Sequence, residues 1–393
     1  MMHEFTYCIP TEVVFGKDSL QKLPAMLKNR GISRLLLVCG GKSARKSGLL
    51  DRIFALLNDA DVQYDVLEGV QPNPRVDLVR VGVQKALALD AQLILGVGGG
   101  SALDTAKAVA HGTANPETDV WEFWKRRVPL TKTLPVGAVL TIPAAGSETS
   151  DSSVLTNEAE GEKRGFNTEL NRPAFAILDP SLAATLPRRQ AACGVTDILM
   201  HTLDRYFNPA TDNEMTDQIA EAVMRVVVKF GPRVCKDPGD YEAMSEIMWA
   251  GSLSHNGLTG LGGSKDFSTH QLGHTLGEKF DVYHGESLSA VWGSWARYVC
   301  STDPARFARL AKNVWGAEET PEAGIEATVS FFRSLGMPTS IAELPCGKQD
   351  EAGQLDLAER CSFGRSRTIG SFRKLGYDDI LAIYRMANEE GNR

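Results

Sequence analysis

Residues 93–110 read LILGVGGGSALDTAKAVA, an apolar run that stops at three consecutive glycines and continues at helical spacing. The pattern predicts a strand, a glycine loop and a helix. Gly98, Gly99 and Gly100 lack the Cβ that would block a pyrophosphate, and Ser101 is placed to cap a helix whose free N–H groups attract anions. Asp104, three residues further on, fits a variant of the capping box. The spacing departs from GxGxxG because Ser101 stands at the third glycine position, so a tight turn that merely uses glycine is the competing reading.

The same alternation extends outward on both sides. RLLLVCGG, a helix near 44–58, VQYDVLEGV and a helix near 75–88 precede the glycine loop, which is the βαβ rhythm of a mainly parallel sheet covered by helices. FTYCIPTEVVFG before it and SSVLTNEAEGEKRGFNT after it read as strand pairs added to that sheet. A second loop, LTIPAAGSETSDSS, follows another apolar run and offers Thr141, Ser147 and Ser150 as small hydroxyl donors. Two such loops at neighbouring strand ends favour a dinucleotide, because ligands of open α/β sheets gather at the carboxyl ends of strands.

The pattern changes after FAILDPSLAATLP. From residue 187 onward amphipathic helices are expected at 188–207, 214–230, 240–253, 264–277, 286–300, 304–314, 320–335 and 376–389, without a convincing strand. The expected organisation is an α/β dinucleotide-binding domain over 1–185 and an all-α metal and substrate domain over 186–393.

Five of the seven histidines lie between 201 and 284. His270 and His274 are four apart on an expected helix, as are Asp197 and His201 in CGVTDILMHTLDRYF, so each pair shares one helix face. His284 follows FDVY, where Gly285 suggests that a helix has ended and the chain turns back. A lone carboxylate on an apolar helical face is costly to bury unless it is paired or coordinated. Two pairs of ligand type outweigh the alternative of hydrogen-bonded core histidines and predict a divalent cation, iron or zinc, held by imidazole and carboxylate. Spacing alone leaves open which histidines are ligands. His255 reads as structural or surface, and His3 and His111 carry no assigned role.

Composition bounds the rest. The chain is 43% hydrophobic and 23% charged with a formal charge of −7 and no basic cluster, which disfavours nucleic acid. Its longest apolar runs end after six or seven residues, short of the roughly 18 needed to span a bilayer, and no secretory signal is visible, so no membrane association and a cytoplasmic location are expected. Seven scattered cysteines without a CxxC pair predict reduced, mostly buried thiols. A small molecule is the expected partner.

In order, GGGSALDTAK, TIPAAGSET, DILMH and HQLGHTLGEKFDVYHGE resemble the iron-dependent, or group III, alcohol dehydrogenases over essentially the whole chain, nearest to the NADPH-dependent butanol dehydrogenase and aldehyde reductase branch. The resemblance implies Asp197, His201, His270 and His284 as metal ligands and places His274 near the nicotinamide. It assigns Gly98, Gly99, Gly100 and Ser101 to the pyrophosphate, Thr141 and Ser147 to the nicotinamide and ribose, and Lys163 to the cofactor. NAD-preferring relatives tend to carry an Asp after the first strand, where Gly41 stands here. Gly40, Gly41, Lys42 and Ser43 therefore form the expected adenosine end, Lys42, Ser43 and Arg45 are candidate donors, and NADP(H) is expected over NAD(H).

The implied reaction is reversible hydride transfer between a primary alcohol or aldehyde substrate and NADP(H), with one Fe2+ or Zn2+ polarising the carbonyl oxygen and His274 as a proton relay. A homodimer is expected on the same resemblance. The rivals are a glycerol or polyol dehydrogenase and a metal-dependent lyase of the dehydroquinate synthase type. The lyase would demand a group of Lys and Arg near the metal, where only Arg205, Lys265 and Lys279 are at hand.

Overall fold

The computed structural model describes residues 3–41, 43–209 and 212–389. The chain divides into two compact units. One comprises Cys8–Leu186 with Pro238–Met248, and the other gathers the described parts of Met1–Tyr7, Pro187–Asp237 and Trp249–Arg393.

The first unit is built on β1 (Glu12–Phe15), β2 (Arg34–Gly40), β3 (Gln63–Val70), β4 (Leu93–Gly98), β5 (Val136–Leu140), β6 (Ser152–Asn157), β7 (Glu162–Asn167) and β8 (Phe175–Leu178). Its helices are α1 (Leu23–Asn29), α2 (Ser43–Lys46), α3 (Leu49–Asp59), α4 (Val76–Ala88), α5 (Gly100–Ala114) and α6 (Val120–Trp124). Six strands form one sheet in the order β1-β8-β5-β4-β2-β3, and every pairing in it is parallel. The expected parallel sheet is therefore present.

Why the strands read as unbroken apolar runs is visible in β2. Leu35, Leu37 and Cys39 join one buried cluster with Leu27 of α1 and Ile53 of α3, while Leu36 and Val38 join another with Val79 of α4 and Val109 of α5. A strand covered on both faces needs apolar residues at every position, so period-two alternation disappears. The chain goes from β2 outward to β3 and then returns to lay β4 on the other side of β2. That reversal puts the carboxyl ends of β2 and β4, Gly40 and Gly98, at the switch point where open α/β sheets bind ligands.

Two expectations about this sheet need correction. FTYCIPTEVVFG supplies a single edge strand, β1, parallel to β8, rather than a pair. SSVLTNEAEGEKRGFNT does form a hairpin of β6 and β7, but the hairpin stands as its own two-stranded sheet. It is anchored elsewhere, since Val154 of β6 donates its N–H to Asp104 of α5.

The second unit contains α7 (Arg188–Tyr206), α8 (Glu214–Lys236), the latter part of α9 (Tyr241–His255), α10 (Ser268–Phe280), α11 (His284–Val299), α12 (Pro304–Leu310), α13 (Pro321–Ser334), α14 (Glu351–Cys361) and α15 (Tyr377–Asn388). Among its described residues the only β feature is an isolated bridge, Ile369 to Leu375. The helical expectation holds, with α14 added. That helix escapes periodicity because it buries Gln354, Leu357, Ala358 and Cys361 while Leu355 is exposed, a weak apolar stripe. The helix expected at 264–277 begins at Ser268, where the Asp266 carboxylate accepts the Ser268 N–H and Phe267 takes a left-handed φ of 53°. Among the described residues no helix is long and apolar enough to cross a membrane. All seven cysteines are free, but the expected burial holds fully only for Cys39, Cys235 and Cys361; Cys193, Cys300 and Cys346 are half-buried and Cys8 is exposed.

Candidate active site

Helix α7 is buried over most of its length, from Gly194 to Tyr206 without interruption. Polar side chains in such a helix must find partners. Asp197, His201 and Asp204 follow one another at four and three residues, and so fall on one face. From α10 come His270 and His274, and from the first turn of α11 comes His284.

The Nε2 atoms of His201, His270 and His284 lie 3.5, 3.7 and 3.6 Å from one and the same atom, Asp197 Oδ1. In a tetrahedral site with bonds of ~2.1 Å, neighbouring ligand atoms are roughly 3.4 Å apart. Asp197, His201 and His270 are all at most 4% exposed and offer ligand atoms within 4.8 Å of one another, while the His284 side chain is 29% exposed. Asp197 Oδ1 and His270 Nε2 are buried with no hydrogen-bond partner, a state costly for a carboxylate oxygen unless a cation takes the place of the donor. The donor set therefore fits a divalent ion.

A second layer orients the first. His270 Nδ1 is 2.5 Å from Asp204 Oδ2, so the ring donates its Nδ1–H to a carboxylate and turns Nε2 toward Asp197 Oδ1, 3.7 Å away. Burial alone would push this imidazole down, but Asp204 and Asp197 overcome it and raise His270 to about 9. His201 goes the other way, well below its ordinary value, through burial and then through His255, His270 and the Arg205 cation beside it. Arg205, itself buried, donates Nη1 to the His201 carbonyl at 2.7 Å and lies 4.9 Å over the Phe267 ring.

His274 stands beside His284, ring centroids 5.2 Å apart, and edge-on to His270 at 6.1 Å. His255 is not at the surface: it is buried and stacked on His201 with centroids 4.0 Å apart. A helix has ended before Gly285, as the sequence suggests, since α10 stops at Phe280, but Gly285 itself does not cap that helix. It lies in the first turn of α11, where an added Cβ would come within 2.5 Å of the Cys193 carbonyl oxygen. Its missing side chain lets α11 press against α7 and brings His284 to Asp197.

In the other unit, the glycine loop ends β4 and opens α5. The helix begins at Gly100 with Gly99 as its cap and no side-chain capping bond, so Ser101 lies inside the first turn and Asp104 closes no capping box. Asp104 instead accepts from Ser147 Oγ at 2.7 Å and from the Val154 N–H at 2.9 Å, and burial raises it. The three glycines have different reasons. Gly98 has φ 152° and its Cβ would meet Ala102 at 2.7 Å, and a Cβ on Gly99 would meet Ile142 at 2.9 Å. A Cβ on Gly100 would sit 3.7 Å from Ala145, ordinary contact, in the space between this loop and the one at 141–150. Packing does not require glycine there, and the free N–H groups at the start of α5 are of the kind that attract anions.

Around this loop the hydroxyls are already engaged. Ser147 Oγ, besides donating to Asp104, accepts from Lys107 Nζ at 2.8 Å, and Ser150 is fully buried near the same ammonium. Neither side chain is the outward donor expected from sequence. Thr141 is half-buried just past β5, its N–H bound to the Gly98 carbonyl at 3.0 Å. Lys163 on β7 donates to Asn73 Oδ1 at 2.9 Å. Gly40 and Gly41 lie at the end of β2 and Ser43 opens α2, while Lys42 falls outside the described residues.

Lys107, Asp204 and His255 were not assigned by sequence. Asp204 had a signal, its position three residues after His201 on the same face. Lys107 had one too, as an ammonium three residues after Asp104, amid alanines and a valine; it is fully buried, which lowers it to about 8, against Asp104 and other nearby acids.

Residues 10–180 match the family described as iron-containing alcohol dehydrogenase, and residues 190–388 match the C-terminal part of the Fe-containing alcohol dehydrogenase family. The chain belongs to the iron-containing alcohol dehydrogenase family. It is 36% identical over 391 residues to NADH-dependent butanol dehydrogenase A of Clostridium acetobutylicum, covering 98% of this chain and 99% of that one. To the NADPH-dependent aldehyde reductase YqhD of Escherichia coli it is 34% identical over 351 residues, 87% and 89% of the two chains. The crystal structure of NADH-dependent butanol dehydrogenase A from Thermotoga maritima superposes with a TM-score of 0.93 at 32% identity, over 99% of each chain. As a member of the iron-containing alcohol dehydrogenases the protein is an oxidoreductase acting on alcohols and aldehydes, with a parallel-sheet N-terminal part and a helical C-terminal part.

Proposed function

We propose that the protein interconverts primary alcohols and aldehydes with NADP(H), and that Asp197, His201, His270 and His284 hold one divalent cation, Fe2+ or Zn2+. The observation that carries this reading is the meeting of three imidazole Nε2 atoms on a single, otherwise unpartnered carboxylate oxygen. When bound, the cation supplies Lewis-acid polarisation of a carbonyl oxygen, worth several kcal/mol as negative charge develops.

The chain's own residues do the rest. Asp204 fixes the His270 ring, and Arg205 holds the α7 backbone at His201. His274, an imidazole beside the ligand set, holds the proton that the product alcohol needs. The first turn of α5 binds the pyrophosphate, and Lys163, already beside Asn73, reaches the cofactor. NADP(H) is favoured because Gly40 and Gly41 put no carboxylate at the end of β2 to accept a ribose hydroxyl or repel a phosphate. The named relatives use both cofactors, so the choice rests on these residues. A homodimer is the expected assembly, and the edge strand β1, with exposed Phe15, leaves one sheet edge for it. Free thiols throughout fit a reducing, cytoplasmic setting.

Initial rates with butanal, glycerol and NADPH or NADH, before and after removal of metal, test the reading. Expected are NADPH oxidation with butanal, little turnover of glycerol, and loss of activity on chelation that Fe2+ or Zn2+ restores. Full turnover by demetallated protein would overturn it. Substitution separates the histidines: His270→Ala should abolish metal retention and activity, whereas His274→Ala should lower turnover with the metal retained. The lyase reading lacks its cluster of cations, since Arg205 is committed to α7 and Lys279 to Asp356 at 2.7 Å.

A further inference from the structure

At the carboxyl ends of β2 and β3, Arg45, one of the candidate donors at the adenosine end, is already paired with a carboxylate that the sequence reading did not include. Arg45 of α2 donates Nη2 to Oε1 of Glu68, the third residue from the end of β3, and the two side chains are 53% and 38% exposed. Both charges act on Cys39, the residue before Gly40: burial and then Glu68 push its thiol up to about 11, while Arg45 pulls it back. Gly40 pairs with Val70, two residues after Glu68, and α2 opens three residues after Gly40, so the pair stands beside the strand end where Gly40 and Gly41 offer no side chain of their own. The carboxylate that could have come from the end of β2 comes instead from the neighbouring strand, already neutralised by an arginine.

Exposed ion pairs are weak enough to be exchanged. A phosphate dianion offers a guanidinium more charge and a bidentate geometry. We propose that Arg45 exchanges Glu68 for the 2'-phosphate of the cofactor, so that this pair sets the selectivity between NADP(H) and NAD(H). Arg45 attracts the phosphate, and Glu68 opposes it twice, by competing for the guanidinium and by repelling the dianion once the guanidinium has turned away. The inference rests on the reading that the β2 and β4 ends take a nicotinamide dinucleotide. It is independent of which cofactor the unaltered enzyme prefers.

The test is calorimetric binding of 2',5'-ADP and 5'-ADP to the intact enzyme, paired with kcat/KM for NADPH and NADH with butanal. Arg45→Gln should lower the preference for the 2'-phosphorylated ligand by about tenfold or more, the scale of a lost charge-assisted hydrogen bond. Glu68→Gln should raise that preference severalfold, and most of the rise should vanish in the double variant. Arg365→Gln, which removes a comparable exposed pair with Glu359 in the other unit, should leave the ratio unchanged. A ratio unmoved by either single substitution, or equal losses for both ligands, overturns the exchange. The unaltered enzyme's own NADPH to NADH ratio tests the cofactor assignment separately, and failure of both ADP ligands to bind sinks the dinucleotide reading and this inference with it.

Discussion

Replacing Asp204 by Asn isolates what the buried carboxylate behind His270 contributes. The two side chains are 1% and 3% exposed and Nδ1 lies 2.5 Å from Oδ2, so water neither screens the pair nor substitutes for it. An asparagine Oδ1 can still accept the Nδ1–H, which keeps the ring orientation with Nε2 toward Asp197 Oδ1. Only the negative charge is lost, and with it part of the electron donation from Nε2 to the cation. Partners of this kind are worth about ten- to a hundredfold in metal affinity, roughly 1.4 to 2.8 kcal/mol. The backbone at 204 should hold, because its carbonyl accepts the Asp266 N–H at 2.8 Å whichever side chain is present. Equilibrium competition for Zn2+ or Fe2+ against a chromophoric chelator, with the melting temperature of the metal-free protein alongside, measures the effect. Metal affinity within about twofold of the parent would refute the reasoning, and so would a metal-free protein destabilised by the full amount, which would make Asp204 merely structural.

Three further outcomes follow from named contacts. Gly285→Ala sets a Cβ against the Cys193 backbone at 2.5 Å and should cost about 1 to 3 kcal/mol as α11 moves off α7; a lower melting temperature together with weaker metal retention checks it. Lys107→Met removes the ammonium that ties Ser147 to the Ser152 carbonyl and should raise KM for NADPH about tenfold with kcat changed far less; steady-state kinetics decide, and a fall confined to kcat contradicts it. His111, buried between Thr133 and Asn171, is lowered to about 4, so the unfolded chain binds its proton first as pH falls. Its contribution is complete above the ordinary value of about 6.5 and is lost on acidification towards 4, about 2 kcal/mol between roughly pH 7 and pH 5. Denaturant titrations at the two pH values should show that loss, and His111→Gln should reduce it.

Much of the parallel-sheet unit was legible because its signals are local. An apolar run ending in glycines is a strand followed by a loop whatever surrounds it, and 93–110 folded as read. The details failed where a side chain had a choice between neighbours near in sequence and partners far away. Asp104 and Ser147 look like a cap and an open donor within their own segments, yet 43 residues apart they satisfy each other, with Lys107 between loop and helix. The β6–β7 hairpin was likewise visible as a hairpin, while its separation from the main sheet was not.

For the helical half, the residues alone pointed to a polar cluster that needs a partner. Carboxylate and imidazole at four-residue spacing on an apolar helix require a partner, because burying them otherwise is too costly. Which imidazoles meet Asp197 Oδ1 was a matter for the tertiary structure, since His270 and His284 arrive from other helices more than sixty residues later and only close packing of α10 and α11 on α7 aims them. Periodicity fixes a helix face but not what stands opposite it, and coordination depends on distances of a few tenths of an ångström that only the packed core sets.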